Sequence, residues 1–211
     1  MAVFKLIYNL KLYSLIVLSF LISYARSCGP AVHNEVAERA RVWFDALSAD
    51  TDSADNILFS RIINENISPL QTGVLFPDWG YGCLNSDLEA EAAHWTPFLE
   101  TAITLFNTKY KKPYNEDAKI IISFIYGIAA HQVADESWHS MHMPDGFMNM
   151  IGKVEFNNTG DFHNILDIGG DFFMKTINNL DYIKNFGDVL YQKYVSKVCI
   201  ILVEHILTLE S

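Results

Sequence analysis

Residues 115 to 141, "NEDAKIIISFIYGIAAHQVADESWHSM", restrict the possible folds more than any other part of the chain. The first half is apolar on nearly every side of a helix, so the helix must have neighbours all round it, as at the centre of a bundle. The second half then places His131, Asp135 and His139 at i, i+4 and i+8. At 3.6 residues per turn such residues drift by only ~40° per step, so all three project from nearly one face. A carboxylate that follows directly on the buried-looking "FIYGIAA" requires a partner. Two imidazoles flanking it on rigid backbone form a donor set suited to metal, with zinc favoured by nitrogen and oxygen ligands.

The His-x-x-x-Asp spacing recurs at His163 and Asp167 in "DFHNILDIGGD". One such pair is commonly just helix-surface polarity; the doubled pattern points to coordination. Outside these helices His33, Asp78 in "FPDWG" and His94 before Trp95 are further candidates, each structural or surface when taken singly.

Other segments predict an all-α chain. "VHNEVAERARVWFDAL" spaces Val32, Val36, Ala40, Trp43, Phe44 and Leu47 along one helical face. Asn56 to Asn66 reads as a shorter helix closed by Ser68-Pro69, and "GVLFPDWGYGC" as a structured loop. Thr96 to Tyr110 begins with a Thr cap and a proline at the first helical position. Gly146 to Ile151, Asp161 to Asn179 and Tyr182 to Leu207 complete the expected helices. There is no convincing strand pattern, internal repeat or low-complexity linker.

Half of the 211 residues are hydrophobic, enough for one substantial core and so for one domain. The start of the chain is a separate matter. Residues 1 to 27 combine Lys5, an apolar centre from Leu12 to Ile22, and small residues at Ala25 and Ser27, the pattern of a secretion signal cut before Cys28. A membrane anchor is the competing reading, but the uninterrupted apolar run falls short of the ~20 residues a spanning helix needs. Such a cut removes Lys5, Lys11 and Arg26 and no acid, taking the net charge from −10 to −13. A chain of that charge does not attract polyanions in bulk, so no nucleic-acid partner is expected, although bound cations would neutralise several of the acids. The three cysteines, Cys28, Cys83 and Cys199, are too few for a disulfide scaffold or a thiolate zinc site. A Cys28–Cys83 bridge is compatible with an oxidising compartment. The sequons Asn66-Ile67-Ser68 and Asn157-Asn158-Thr159 agree with secretion.

Taken together and in order, "GVLFPDWGYGC", "AAHWTPFL", "FIYGIAAHQVADESWHSM" and "DFHNILDIGGDF" resemble the zinc-dependent phospholipase C and S1/P1 nuclease superfamily. Within it they are most similar to the N-terminal catalytic domain of the glycosylphosphatidylinositol-specific phospholipases D. The resemblance runs from Cys28 to about Tyr194 and implies a multi-helix domain with three zinc ions. Carried over by position, one zinc takes the backbone nitrogen and oxygen of Cys28, with His33 and one oxygen of Asp135. A second takes Asp78, His94, His131 and the other oxygen of Asp135. The third takes His139, His163 and Asp167. Asp135 and Asp78 are then also the carboxylates at the reacting centre.

The "ADESWH" spacing favours the phospholipase D branch; in other branches the corresponding histidine lies two residues later, and His142 is the alternative here. His205 reads as structural, and Asp171 as orienting a ligand histidine or belonging to a Gly169-Gly170 turn. Trp79, Tyr81 and Trp95 are read either as cleft walls or as core.

The implied activity is that of a secreted, extracellular phosphodiesterase that meets the membrane peripherally. Its substrates would be glycosylphosphatidylinositol-anchored proteins or phospholipid, and it would release phosphatidic acid. The alternatives are a phospholipase C, a single-strand nuclease, or an inactive zinc-binding form. Members of the family continue into more helices and a β-propeller, so residues 28 to 211 are expected to be a C-terminally truncated domain.

Overall fold

The computed structural model describes residues 28–50, 52–81, 87–140, 143–157, 159 and 162–183. Among them the chain is helical, with no strand: α1 is Pro30–Ala49, α2 Ala54–Glu65, α3 Ile67–Leu75, α4 Asp87–Ala93, α5 Thr96–Lys109, α6 Glu116–Trp138, α7 Phe147–Glu155 and α8 Phe162–Ile177. A 3₁₀ turn, Pro77–Gly80, follows α3. No helix among the described residues is long and apolar enough to cross a membrane. The amino-terminal apolar run, the Tyr182 to Leu207 helix beyond Ile183, His142, His205, Cys83 and Cys199 lie outside the described residues.

The central helix is α6. Asn115 caps it, its side chain accepting from the Ala118 N–H at 2.9 Å, and Glu116 and Asp117 lie in the first turn, where carboxylates favour the positive end of the helix dipole. It packs against α1, α2, α3, α5 and α7, as a helix apolar on all sides requires. Phe124 and Ile128 are fully buried and share a core with Phe76, Ala93 and Ala102. The Phe76 and Phe124 rings meet edge to face, 5.3 Å between centroids, and burial of each large apolar side chain contributes roughly 1.5 to 3 kcal/mol.

The closest crossing is between α3 and α6, and two glycines allow it. A Cβ on Gly73 would stand 2.1 Å from the Phe124 carbonyl oxygen, and one on Gly127 2.2 Å from that of Leu70. The two backbones therefore touch directly. This brings the end of α3, and Asp78 just beyond it, up to the second half of α6.

Several local expectations are corrected. Ser68-Pro69 does not close a helix; it sits inside the first turn of α3, where the missing N–H of proline leaves no helical bond unmade. "GVLFPDWG" is accordingly the end of α3 and the 3₁₀ turn rather than a loop. Thr96 is the first residue of α5 and not its cap; Trp95 holds the cap position, and its side chain makes no capping hydrogen bond. On α1 the apolar face is only partly covered, with Trp43 68% exposed. Gly169 and Gly170 lie within α8 and make no turn.

Gly127→Val forces the α3 and α6 backbones apart. Overpacking of this kind costs about 1 to 3 kcal/mol or more, and urea unfolding followed by far-ultraviolet circular dichroism is expected to show the loss as a lower midpoint.

Candidate metal centre

The α3–α6 crossing sets the first histidine. His131 is fully buried, and its Nδ1 lies 2.7 Å from the Val74 carbonyl oxygen on α3. That leaves Nε2 facing the interior of the cluster. His94 is arranged in the same way, Nδ1 being 2.8 Å from the Ala90 carbonyl, while Gln132 on α6 donates to the carbonyls of Ala93 and Trp95 at 2.9 and 3.2 Å and holds that junction in place. A carbonyl on one ring nitrogen fixes the tautomer so that the other is a lone-pair donor, the usual support of a metal-bound imidazole.

Asp135, 2% exposed, stands at the centre. Its Oδ1 is 3.4 Å from His33 Nε2 and 3.3 Å from His139 Nε2. Its Oδ2 is 3.0 Å from His131 Nε2 and 3.5 Å from His94 Nε2. Asp78 Oδ1 is 3.1 Å from His94 Nε2 and 3.8 Å from His131 Nε2, and its Oδ2 is 3.9 Å from His33 Nε2. A third group lies beside these, His163 Nδ1 being 2.9 Å from Asp167 Oδ2, with the His139 and His163 rings stacked at 4.7 Å.

In each of four sets the potential ligand atoms thus lie within 4.8 Å of one another: Cys28, His33 and Asp135; His33, Asp78 and His131; His94, His131 and Asp135; and His139, His163 and Asp167. The structure brings all nine residues named from the sequence into one place. His139 is the cap that ends α6, its N–H bonded to the Asp135 carbonyl, so the three-residue stripe finishes at the helix terminus. At Cys28 the backbone nitrogen lies 3.1 Å from His139 Nε2, and the thiol also turns inward, Sγ being 3.1 Å from His33 Nε2.

The fit to zinc can be tested on these distances. Two nitrogen or oxygen ligands ~2.0 to 2.1 Å from one tetrahedral zinc are roughly 3.3 Å apart, the middle of the range observed around Asp135. Moreover His131 Nε2, Asp135 Oδ2 and Asp167 Oδ2 are buried without a hydrogen-bond partner, although the first two are only 3.0 Å from each other. Groups that approach this closely without aligning a hydrogen bond are aimed at a common third point rather than at one another. The donor set fits zinc.

Electrostatics agree. Burial pushes the His33 imidazole down to about 3, helped by the neighbouring His131, and the two rings stack 3.7 Å apart and 9° from parallel. Burial alone would raise Asp135, but the imidazoles of His131 and His139 beside it outweigh that and hold the carboxyl well below the usual range, so it is ionised. Burial, and then the carboxylates of Asp135, Asp78 and Asp167, push the Cys28 thiol up.

A cavity of about 250 Å³ opens onto the cluster, lined by Tyr81, Glu91, His94, Trp95, Asp135, His139 and His163. Glu91 was not singled out in the sequence. Its carboxylate accepts from the Tyr81 hydroxyl at 2.6 Å and from Trp95 Nε1 at 2.9 Å, tying the two aromatic walls together. Trp79, by contrast, packs against the Phe76 core. Trp138 was missed as well; its Nε1 donates to Asp167 Oδ1 at 2.8 Å and orients that carboxylate. Its placement between Asp135 and His139 is the one sequence signal for it.

His33 yields a test in the metal-free protein. Between about pH 6 and 4 the unfolded chain takes up a proton on this histidine and the folded chain does not, so its contribution to stability falls as the pH falls, at roughly 1.4 kcal/mol per unit. In chemical denaturation at a series of pH values, His33→Gln is expected to lower the pH dependence by about that slope.

Comparison with known proteins accords with this centre. The zinc dependent phospholipase C family model matches residues 32–201. The phosphatidylinositol-glycan-specific phospholipase D of Dictyostelium discoideum is 35% identical over 162 residues, 75% of this chain and 16% of that protein. Those of Rattus norvegicus and Homo sapiens are 30% and 28% identical over 174 residues, in each case 80% of this chain and 20% of the relative. The chain therefore spans about a fifth or less of the length of these curated relatives. No solved structure matches it. With most of its length matched by the family model, and its histidines and aspartates gathered at ligand spacing, the chain belongs to the zinc dependent phospholipase C family.

Proposed function

We propose that this protein is a secreted, zinc-dependent phosphodiesterase that hydrolyses the inositol–phosphate bond of glycosylphosphatidylinositol anchors. In this reading residues 1 to 27 are a signal removed before Cys28, and three zinc ions are held by the nine residues of the cluster. The names of the relatives support the substrate class. The observation that carries the reading is Asp135, a buried carboxylate with each oxygen facing two imidazoles.

Bound zinc supplies a water of lowered pKa and neutralises charge on a phosphate. The protein's own part is to fix where the phosphate lies. Asp78 and Asp135 hold the buried imidazoles in register. His163, whose side chain is 44% exposed, and His139 face the cavity through which a phosphodiester reaches the centre. Tyr81 and Trp95, braced by Glu91, form the wall beside which the leaving group rests. Water adds to phosphorus, the bond from phosphorus to the inositol oxygen breaks, and that oxygen leaves with a proton; the products are phosphatidic acid and the inositol glycan. If the diacylglycerol oxygen occupied the leaving position instead, the outcome would be that of a phospholipase C. Peripheral contact with lipid belongs to the same proposal, supported by the exposed Ile168, Phe172 and Phe173 on the helix that carries His163.

The test is to incubate the chain beginning at Cys28, loaded with zinc, with a glycosylphosphatidylinositol-anchored protein and to analyse the lipid released. Phosphatidic acid is expected, and about three zinc per chain by elemental analysis. Diacylglycerol would instead establish the C-type cleavage, digestion of single-stranded DNA alone would establish a nuclease, and bound zinc without turnover of any phosphodiester would overturn the enzymatic reading. Asp135→Asn, which keeps the shape and removes the charge shared by two ligand sets, is expected to lower turnover at least about a hundredfold and to release zinc, outer-shell changes alone costing 10- to 100-fold.

A further inference from the structure

The amino-terminal ligands enter the cluster from a short stretch before and within the first turn of α1. That turn begins at Gly29, whose carbonyl accepts from the His33 N–H at 3.2 Å, and no cap side chain from Gly29 itself serves the open N–H groups. Those groups are served from the far end of the chain. Asp171 Oδ1 accepts from the N–H of Ala31 at 2.9 Å and of Val32 at 3.1 Å. The fit is close enough to exclude a side chain at residue 29, since a Cβ there would stand 2.2 Å from the Asp171 carboxyl carbon.

Asp171 is one turn beyond Asp167 on α8, and Asp167 is one turn beyond His163, so a single stripe of α8 contributes to the third ligand set and docks α1. Trp138 on α6 braces the same stripe through Asp167 Oδ1, and Gly170 leaves room for its indole, which a Cβ would meet at 2.6 Å. On the opposite side, Cys28 N lies 3.1 Å from His139 Nε2 and Cys28 Sγ 3.1 Å from His33 Nε2. Beside the packing of α1 on α6, the Asp171 contact is thus a direct polar tie between the segment that carries Cys28 and His33 and the helix that carries His163 and Asp167.

We propose that Asp171 is a positioning residue for the metal centre: by capping α1 across 140 residues of sequence it holds Cys28 and His33 at coordination distance from Asp135. It acts through the backbone of Ala31 and Val32. The inference rests on the reading that the cluster binds zinc, and it is independent of which phosphodiester is cleaved.

The test uses the chain beginning at Cys28, loaded with zinc and dialysed against a series of buffered chelator concentrations, with zinc per chain measured by elemental analysis and amide exchange followed at Ala31 and Val32. Asp171→Leu is expected to lose at least one zinc equivalent at about tenfold less chelator than wild type, in line with other outer-shell partners, and to exchange both amides faster. Asp171→Asn, whose amide oxygen accepts the same two hydrogen bonds, is expected to stay within about twofold of wild type in the zinc measurement. Gly29→Ala, which displaces the carboxylate and leaves it in the chain, is expected to behave as Asp171→Leu and provides the test if the leucine variant fails to fold. Retention of all zinc by both Asp171→Leu and Gly29→Ala, or equal losses in the Asn and Leu variants, would overturn the proposal. Wild-type protein that takes up no zinc would sink it together with the proposed function, whereas zinc uptake without lipid hydrolysis would sink the proposed reaction alone.

Discussion

Burying the Asp135 carboxylate at the end of an apolar helix creates a cost that the surrounding structure is arranged to meet. An ionised carboxylate in such a place must be paired or bound to a cation. Among the described residues its ionic contacts are all to histidines, with no lysine or arginine among them. His33 cannot carry the balancing charge either. It is kept neutral by burial, and it lies flat against His131, an arrangement that two imidazolium rings would oppose by mutual repulsion. Three carboxylates, Asp78, Asp135 and Asp167, thus share one region with a histidine, His33, that lends a lone pair instead of positive charge, while at His94 burial is outweighed by the contact with Asp78, which raises the imidazole. Divalent cations satisfy both requirements at once, and the family to which the chain belongs is named for one of them.

The scaffold follows from the need to hold these groups without help from their own flexibility. Two glycines let α3 lie backbone to backbone on α6, and the same approach presents the Val74 carbonyl to His131. Had the crossing been spaced by ordinary side chains, His131 would lose its anchor and Asp78, three residues past the end of α3, would stand too far out. Gln132 performs the corresponding task for His94 by joining α6 to the α4–α5 junction. Packing and coordination are therefore linked here: the α3–α6 contact that buries apolar surface also anchors His131.

This coupling explains what the sequence revealed and what it hid. The ligands on α6 and α8 stood out because four-residue spacing is a local signal, and the helices that carry them begin and end within a few residues of where periodicity and caps place them. Asp78 and His94 had no periodic partner, and their roles became visible only through family resemblance. Backbone groups were invisible altogether: nothing in a string of residues marks the Val74 or Ala90 carbonyl as the anchor of a histidine. Helix α4, "DLEAEAA", has too few apolar positions to show a face, and Ser68-Pro69 was misread because a proline that ends one helix and a proline in the first turn of the next look alike in one dimension. Asp171 looked like a neighbour of its own glycines, whereas its partners are at the opposite end of the chain.

Exposure across the cluster is graded, and the gradient gives the site a direction. His33 and His131 are sealed off completely, His139 is 10% exposed, and His163 is 44% exposed at the cavity. A dry interior strengthens attraction between fixed carboxylates and bound cations, which suits the ligand sets shared through Asp135. In the proposed reaction the set at the open end has the opposite requirement, since an incoming phosphodiester would exchange with water there and the product would leave. In the proposed reaction the phosphate therefore approaches over His163 and stops against the buried sets, with its lipid and glycan substituents directed outward past Tyr81 and Trp95. In that proposal discrimination among phosphodiesters would belong to the rim built by Tyr81, Glu91 and Trp95, while the buried imidazoles and carboxylates would supply chemistry common to all of them.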